Sequence, residues 1–272
     1  MTITRCKVLI HFFLGKRNGV TFKELFKYFF AKSYFHKANK WIEKIQEGSK
    51  TNSIYIKGIK KPLFYPKAMV ADTLRQVIVE SLYSNNWHFY EIPQTSVERN
   101  DVVVDCGTAE GLFSFLIAQR CKKIYMIEPL PDFVKCLKKT FAPFDNVEIL
   151  QFAISDIETN AILSMNGIAS SVVSQGEGID VKVTTLDSLF FEKGISVSYL
   201  KIDVEGYDYL AIKGAVNLIK KYKPKIAVAV YHDFAHENQI RNFLKSIAPE
   251  YKFLSKGIYQ NTGSPVILHA WI

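Results

Sequence analysis

A run of valines ends at an acid and a glycine in Val102-Val103-Val104-Asp105-Cys106-Gly107-Thr108-Ala109-Glu110-Gly111. A strand that runs through a glycine-bearing turn into a helix can wrap a nucleotide. Gly107 lets the backbone turn tightly and approach a ligand, and Gly111 lets the helix start pack closely on the sheet. A dinucleotide turn seats its pyrophosphate on the helix N-terminus, where negative charge is welcome. Here Asp105 precedes the turn and Glu110 lies within it, so a pyrophosphate would be repelled. S-adenosyl-L-methionine has no phosphate and carries a sulfonium and an ammonium group. Acids beside the turn suit that cation and disfavour a nicotinamide dehydrogenase.

Four further strand ends carry polar groups. Glu128, in Tyr125-Met126-Ile127-Glu128-Pro129, can accept hydrogen bonds from both ribose hydroxyls of a nucleoside. The plain alternative is a helix-capping or solvated glutamate. After the next strand, Ile154 can pack on an adenine, and Ser155 or Asp156 can bond its exocyclic amine, although a turn would use the same polar residues. Asp203 and Glu205 close a later strand, and alternation along extended chain points them the same way. Methyl transfer needs the acceptor oxygen positioned behind the methyl carbon and its proton removed. Asp203 and Glu205 can hold the methionine ammonium, act as base or bind Mg²⁺, while Glu205 can instead cap the next helix. His232 follows Ala227-Val-Ala-Val-Tyr231, where a neutral-pH base belongs, or where a loop histidine can bond a carbonyl. The catalytic candidates are Asp203, His232 and Glu205. His11, His36, His88, His236 and His269 are read as structural. Oxygen ligands from Asp203 and Asp233 with His232 could hold a metal, but no dense acidic cluster supports one, so Mg²⁺ is not favoured. Ser170-Ser171 marks a stretch where acceptor-binding loops occur.

Positioning these groups takes strands that alternate with helices. Strands are expected at Val102–Asp105, Lys123–Glu128, Val147–Phe152, Ile162–Met165, Val181–Thr184, Tyr199–Asp203 and Ile226–Tyr231. Helices are expected at Leu112–Arg120, Asp132–Phe141, Leu186–Phe191, Tyr209–Lys221 and His236–Ile247. Two closing strands, Tyr251–Leu254 and Val266–Trp271, have no helix between them and should pair antiparallel. The expectation is an α/β fold: a Rossmann-like doubly wound sheet, mostly parallel with a C-terminal antiparallel hairpin, as in class I methyltransferases.

Asp105-Cys-Gly-Thr-Ala-Glu-Gly111, Ile127-Glu-Pro129, Thr185-Leu-Asp187, Lys201-Ile-Asp-Val-Glu-Gly206, Lys213-Gly-Ala215 and Lys223-Pro-Lys225 together resemble the FkbM family of methyltransferases over roughly Asp101 to His232. The resemblance implies O-methylation of a hydroxyl on a sugar, glycan precursor or related natural product, with S-adenosyl-L-homocysteine as coproduct. The cofactor-binding set is then Asp105, Gly107, Thr108, Glu110, Gly111, Glu128, Pro129, Ile154, Ser155 and Asp203. Family members often carry Asn or Gly where this chain has Thr108–Glu110, which alters the turn's charge but not its geometry.

The net charge of +9 is unevenly spread. Met1–Lys67 holds 15 Lys and Arg against 3 Asp and Glu, and the rest is mildly acidic, 20 against 23. An acidic body argues against a face that grips nucleic acid, and Asp203-Val-Glu-Gly206 is not the Asn/Asp-Pro-Pro-aromatic stretch of enzymes that methylate base amines. A nucleic-acid methyltransferase and a non-catalytic scaffold stay as the alternatives. The scaffold is disfavoured because it would not need Asp105, Glu128 and Asp203 together.

Residues 1–67 are read as a basic, aromatic-rich helical extension and 68–272 as the catalytic domain. Helix is expected over Asn18–Glu47, a linker over Gly48–Pro66 and helix over Met69–Tyr83. The extension's lysines interleave with Phe22, Phe26, Phe29, Phe30, Tyr34, Phe35 and Trp41. It could pack on the catalytic domain, rest on an anionic membrane, or form an oligomer interface or steer an acidic acceptor. Val8–Leu14 is too short to span a membrane, and no cleavage site follows it. Four scattered cysteines without a CxxC pair fit a reduced, cytoplasmic setting.

Overall fold

The computed structural model describes residues 3–164, 172–173 and 178–272. Helices α1 (Ile3–Phe13), α2 (Phe22–Phe29) and α3 (Tyr34–Asn39) lead into three antiparallel strands, β1 (Ile42–Gln46), β2 (Thr51–Ile56) and β3 (Leu63–Pro66). The uninterrupted helix expected over Asn18–Glu47 and the linker expected over Gly48–Pro66 are therefore corrected. Thr21 and Glu24 form a capping box that starts α2. In β2 and β3, Ile54, Ile56, Leu63 and Tyr65 are buried, and the Phe64 N–H donates to Thr140 Oγ1 at 2.9 Å. Burial against the catalytic body, which a local pattern does not reveal, makes strands of this stretch.

α4 (Ala71–Leu82) follows, then a seven-stranded sheet of β4 (Val102–Cys106), β5 (Lys123–Ile127), β6 (Val147–Leu150), β11 (Tyr199–Ile202), β12 (Lys225–Ala229), β13 (Lys252–Lys256) and β14 (Ile267–Trp271). Its order is β13-β14-β12-β11-β4-β5-β6, and β14 alone runs opposite to the other six. The closing hairpin is present, with β14 inserted between β12 and β13. Order reverses between β4 and β11, which opens a crevice at their carboxyl ends. Between β6 and β11, a smaller sheet joins β7 (Ala153–Ile154), β8 (Thr159–Ser164), β9 (Val172–Val173) and β10 (Gly178–Thr184). Ser170-Ser171 lies outside the described residues.

Period-2 alternation puts Val103, Ile124, Met126 and Tyr199 on one face of the large sheet and Val104, Leu200, Ile202 and Val228 on the other. The first face packs with α5 (Leu112–Ile117), α6 (Pro131–Phe141), α4 and the N-terminal elements. The second packs with α7 (Asp208–Lys213), α8 (Val216–Tyr222) and α9 (His236–Ile247). The single helix expected over Tyr209–Lys221 is two, parted at Gly214. A Cβ there would sit 2.2 Å from the Ser155 carbonyl oxygen, so the two loops touch at that point. Asp187 of the Thr185-Leu-Asp187 motif accepts from the Asn217 and Leu218 N–H groups and starts α8. Among the described residues no helix is long and apolar enough to cross a membrane.

Candidate active site

The crevice at the β4–β11 switch is built on one buried cation. Lys201 and Asp105 face each other across parallel strands, with Lys201 Nζ 3.0 Å from Asp105 Oδ1. The same ammonium donates to the Gly107 carbonyl at 2.7 Å and the Cys106 carbonyl at 3.3 Å. Burial opposes charge on Lys201, but Asp105 and Asp203 win and raise its pKa. Asp105 Oδ2 also accepts from Ser114 Oγ at 2.7 Å. Asp105 is fully buried and lies outside the cleft lining. Its expected cofactor contact is therefore replaced by a role in pinning the turn.

Gly107 has φ +71°, and a Cβ on it would come 1.8 Å from the Asp203 carbonyl oxygen. Only glycine fits where these two loops cross. Ala109 takes φ +50° and Glu205 φ +51°, conformations that non-glycine residues adopt at a cost and that cluster at functional sites. Gly111, at φ +86°, is also outside the cleft. A Cβ on it would meet Leu137 at 2.6 Å and Met126 at 3.0 Å, so it serves close packing and not ligand contact.

Gly107, Thr108, Glu110, Glu128, Pro129 and Ile154 line one end of the cleft, as expected, joined by Phe152. Glu128 accepts from the Ala109 N–H at 3.0 Å and the Leu130 N–H at 2.9 Å. Each carboxylate oxygen keeps a free lone pair for a ribose hydroxyl. Burial pushes both Glu110 and Glu128 up to about 7. Ser155 does not reach the cleft. Its hydroxyl turns to Asp156, which pairs with Lys213 at 2.6 Å.

The opposite end is walled by α4 through Thr73, Gln76, Val77, Glu80 and Ser81, and by His88, Tyr90 and Tyr231. His88 Nε2 lies 3.3 Å from the Tyr231 hydroxyl and 3.9 Å from Asp203 Oδ2, with Nδ1 3.9 Å from Glu80. Its expected structural placement is corrected to one on the cleft wall. The Tyr90 hydroxyl donates to Asp203, and Burial raises Glu80. Glu80, His88 and Tyr90 precede the recognisable motifs, and only the fold brings them more than 100 residues along the chain to Asp203.

His232 sits behind the wall. Its Nδ1 is 2.8 Å from Asp208, and its Nε2 is 3.6 Å from Asp203 and 3.3 Å from Glu205. Asp203 and Glu205 thus converge as alternation suggested, but on this ring. Burial disfavours the imidazolium, yet bonds to Asp208 and Glu205 and the charge of Asp203 raise its pKa to about 11. A ring held protonated at neutral pH cannot take a proton, so the expected general base is corrected to a fixed cation. Burial would raise Asp203, but His232, Lys201 and His88 outweigh it and lower its pKa, keeping it an anion. Asp208, fully buried, accepts from the Val204 and Gly206 N–H groups and shapes this loop. Sequence reading missed it, because an acid opening a helix reads as an ordinary cap. Asp233 is exposed and caps the next turn through the Ala235 N–H.

A raised histidine pKa contributes stability that is complete below the unfolded value and lost as pH rises through the folded one. His232→Gln should therefore cost most stability below pH 6.5, with the deficit shrinking up to about 11. Urea unfolding across that range checks this, and a deficit independent of pH would contradict it.

Glu80, Glu110, Glu128, Asp203 and Glu205 all line the cleft, while the Lys201 charge is spent on Asp105 and two carbonyls. With Asp203 held anionic, this carboxyl-lined cleft suits the cationic S-adenosylmethionine better than a pyrophosphate.

The family model described as the methyltransferase FkbM domain matches residues 105–254, more than half of the chain. The chain belongs to the FkbM methyltransferase family. This FkbM-family protein is an S-adenosylmethionine-dependent methyltransferase. It is 31% identical over 140 residues to a probable cobalt-precorrin-6B C(15)-methyltransferase (decarboxylating) of Methanobrevibacter smithii, covering 49% of this chain and 69% of that one. Its fold is like that of the methyltransferase FkbM from Methylobacillus flagellatus KT, with TM-score 0.50 and 18% identity over 75% of this chain. The alignment spans 56% of that longer chain. The matched segment begins at Asp105, so the α4 wall and His88 fall outside it.

Proposed function

We propose that this enzyme methylates a hydroxyl of a sugar, glycan precursor or related natural product. The observation that carries the reading is the polar wall opposite the nucleoside end, where Glu80, His88, Tyr90, Asp203 and Tyr231 meet. Such a wall can hydrogen-bond a polyhydroxylated acceptor and offers a base for its proton.

Glu128 accepts the ribose hydroxyls, Phe152 and Ile154 pack on the adenine, and Asp203 with the neighbouring acids balances the cofactor's positive charge. Bound there, S-adenosylmethionine supplies a sulfonium-activated methyl group and leaves as S-adenosylhomocysteine. His88 takes the acceptor proton at Nε2, and Glu80 beside Nδ1 stabilises the ring as it becomes charged. Tyr90 and Tyr231 orient the acceptor oxygen, and α4 keeps water from the reacting face. His232 positions Asp203 and Glu205 from behind and touches no substrate.

Mg²⁺ fits the neighbouring Asp203–Asp208–His232 group poorly. The Asp208 carboxylate already accepts two backbone N–H groups and pairs with His232, which leaves it little capacity for a hard cation that prefers an all-oxygen shell. The proposed reaction therefore uses no metal.

Glu128→Ala is expected to weaken S-adenosylmethionine binding about 100-fold, the loss of two hydrogen bonds to a charged acceptor. Calorimetry measures it, and unchanged affinity would move the ribose elsewhere. The acceptor class is tested by incubating the enzyme with methyl-labelled cofactor and nucleotide-linked sugars, glycans, RNA and tetrapyrroles. An O-methyl sugar product supports the proposal. Labelled RNA, or a carbon-methylated tetrapyrrole such as the cobalt-precorrin relative's name suggests, would overturn it.

A further inference from the structure

The aromatic stripe of the basic N-terminal segment divides in two when folded. Val8, Phe12, Leu25 and Ala38 are buried in the core, and Tyr28 stacks on Trp87. Phe22 and Phe26 of α2 and Phe30 at its C-terminal cap, spaced by four residues, instead point outward at 58%, 66% and 66% exposure. The end of α1 extends this face, with Phe13 and Leu14 at 70% and 71% and the Phe13 ring against Phe22. Packing on the catalytic domain thus accounts for one side of α2 and leaves a contiguous apolar face on the other. A face of this kind marks an interaction site.

Charge identifies what covers it. Residues 3–40 hold nine Lys and Arg and a single acid, Glu24. That acid is spent on its own helix cap and on Lys256. Lys16, Arg17, Lys23, Lys27 and Lys32 are exposed around the apolar face, and the Arg17 guanidinium lies 5.2 Å above the Phe12 ring and 5.4 Å above Phe22. We infer that this face of α2 and the end of α1 docks on an anionic lipid surface. Exposed rings and Leu14 enter the headgroup boundary while the cations meet lipid phosphates, the arrangement of interfacial amphipathic helices. A second copy of the chain would set like charges against each other. The rings alone could stack on bases, but the face continues onto aliphatic Leu14 and Ile10, 71% and 58% exposed, which suit acyl chains and give a base no partner. No spanning segment is needed, so the contact is peripheral.

The full chain is tested by co-sedimentation with vesicles of phosphatidylcholine alone and of phosphatidylcholine with phosphatidylglycerol. Binding only to the anionic vesicles is expected. Lys23→Gln with Lys27→Gln should reduce partitioning about 25-fold, from two lost charges near the surface. Phe26→Ser with Phe30→Ser, which spares the Phe22 ring that packs on buried Phe12, should abolish it. Both variants should keep the parent's thermal melting and its affinity for S-adenosylhomocysteine, because these side chains leave the core and the cleft untouched. Failure of the parent to pellet, or unchanged partitioning of both variants, would overturn the inference. So would a parent dimer that the phenylalanine variant converts to monomer, or binding of single-stranded RNA in place of vesicles.

Discussion

His88→Ala is expected to lower kcat about 100- to 10,000-fold, the range that a positioned acid–base group contributes, with S-adenosylhomocysteine affinity changed only slightly. The ring is held by Tyr90 and Tyr231 at centroid distances of 5.3 and 5.4 Å, with Glu80 3.9 Å from one nitrogen and Asp203 3.9 Å from the other. A ring that merely filled space would be replaced without a chemical signature. A base leaves one: added imidazole should restore part of the His88→Ala activity and none of the His88→Gln activity, where the amide fills the gap. His232→Gln should retain more activity than His88→Ala, since it acts through Asp203. The reverse ranking, with imidazole rescuing His232→Ala, would return the base to the position that the sequence suggested.

Lys201→Met is the second large effect, and it appears first in stability. Removing one partner of a buried ion pair leaves the other charge uncompensated and costs about 3–5 kcal/mol. For a chain of this size that lowers the melting temperature by about 10 °C. Asp105 would be left with Ser114 alone, and the Cys106 and Gly107 carbonyls would lose their shared donor. The glycine turn should loosen with it, so cofactor affinity falls in the same variant. Lys201→Met paired with Asp105→Asn should recover part of the stability, because no charge is stranded. Calorimetric melting of the three variants checks this, and a single Lys201→Met variant as stable as the parent would refute the pinning role.

The nucleoside end of the cleft was legible in the sequence because local pattern decides it. Val102–Val104 can only be a buried strand, Gly107 must turn, and Glu128 sits where the next parallel strand ends. Asp105 sits in the expected element but packs where a ligand contact was expected, and Gly111 keeps its expected packing role without the cofactor contact. A residue on the buried face of a strand and one on the rim look alike until the neighbouring strand supplies Lys201. The acceptor end was not legible. Glu80, His88 and Tyr90 precede every motif, and their place at Asp203 depends on how α4 lies over the sheet. His232 was found but misassigned, since only Asp208 and Glu205 closing on its ring reveal that it is held protonated. The strands β1–β3 were missed for the same reason as the wall: long-range burial, not local propensity, selects them.

The central claim is that this acidic cleft seats a sulfonium nucleoside on Glu128 and the Gly107 turn. Titrating the purified protein calorimetrically with S-adenosylmethionine, S-adenosylhomocysteine and NAD, alongside the Glu128→Ala variant, tests it most directly. Saturable binding of both sulfur nucleosides, sharply weakened in the variant and absent for NAD, is the predicted result. Well-folded protein that binds neither, or that prefers NAD, would contradict it.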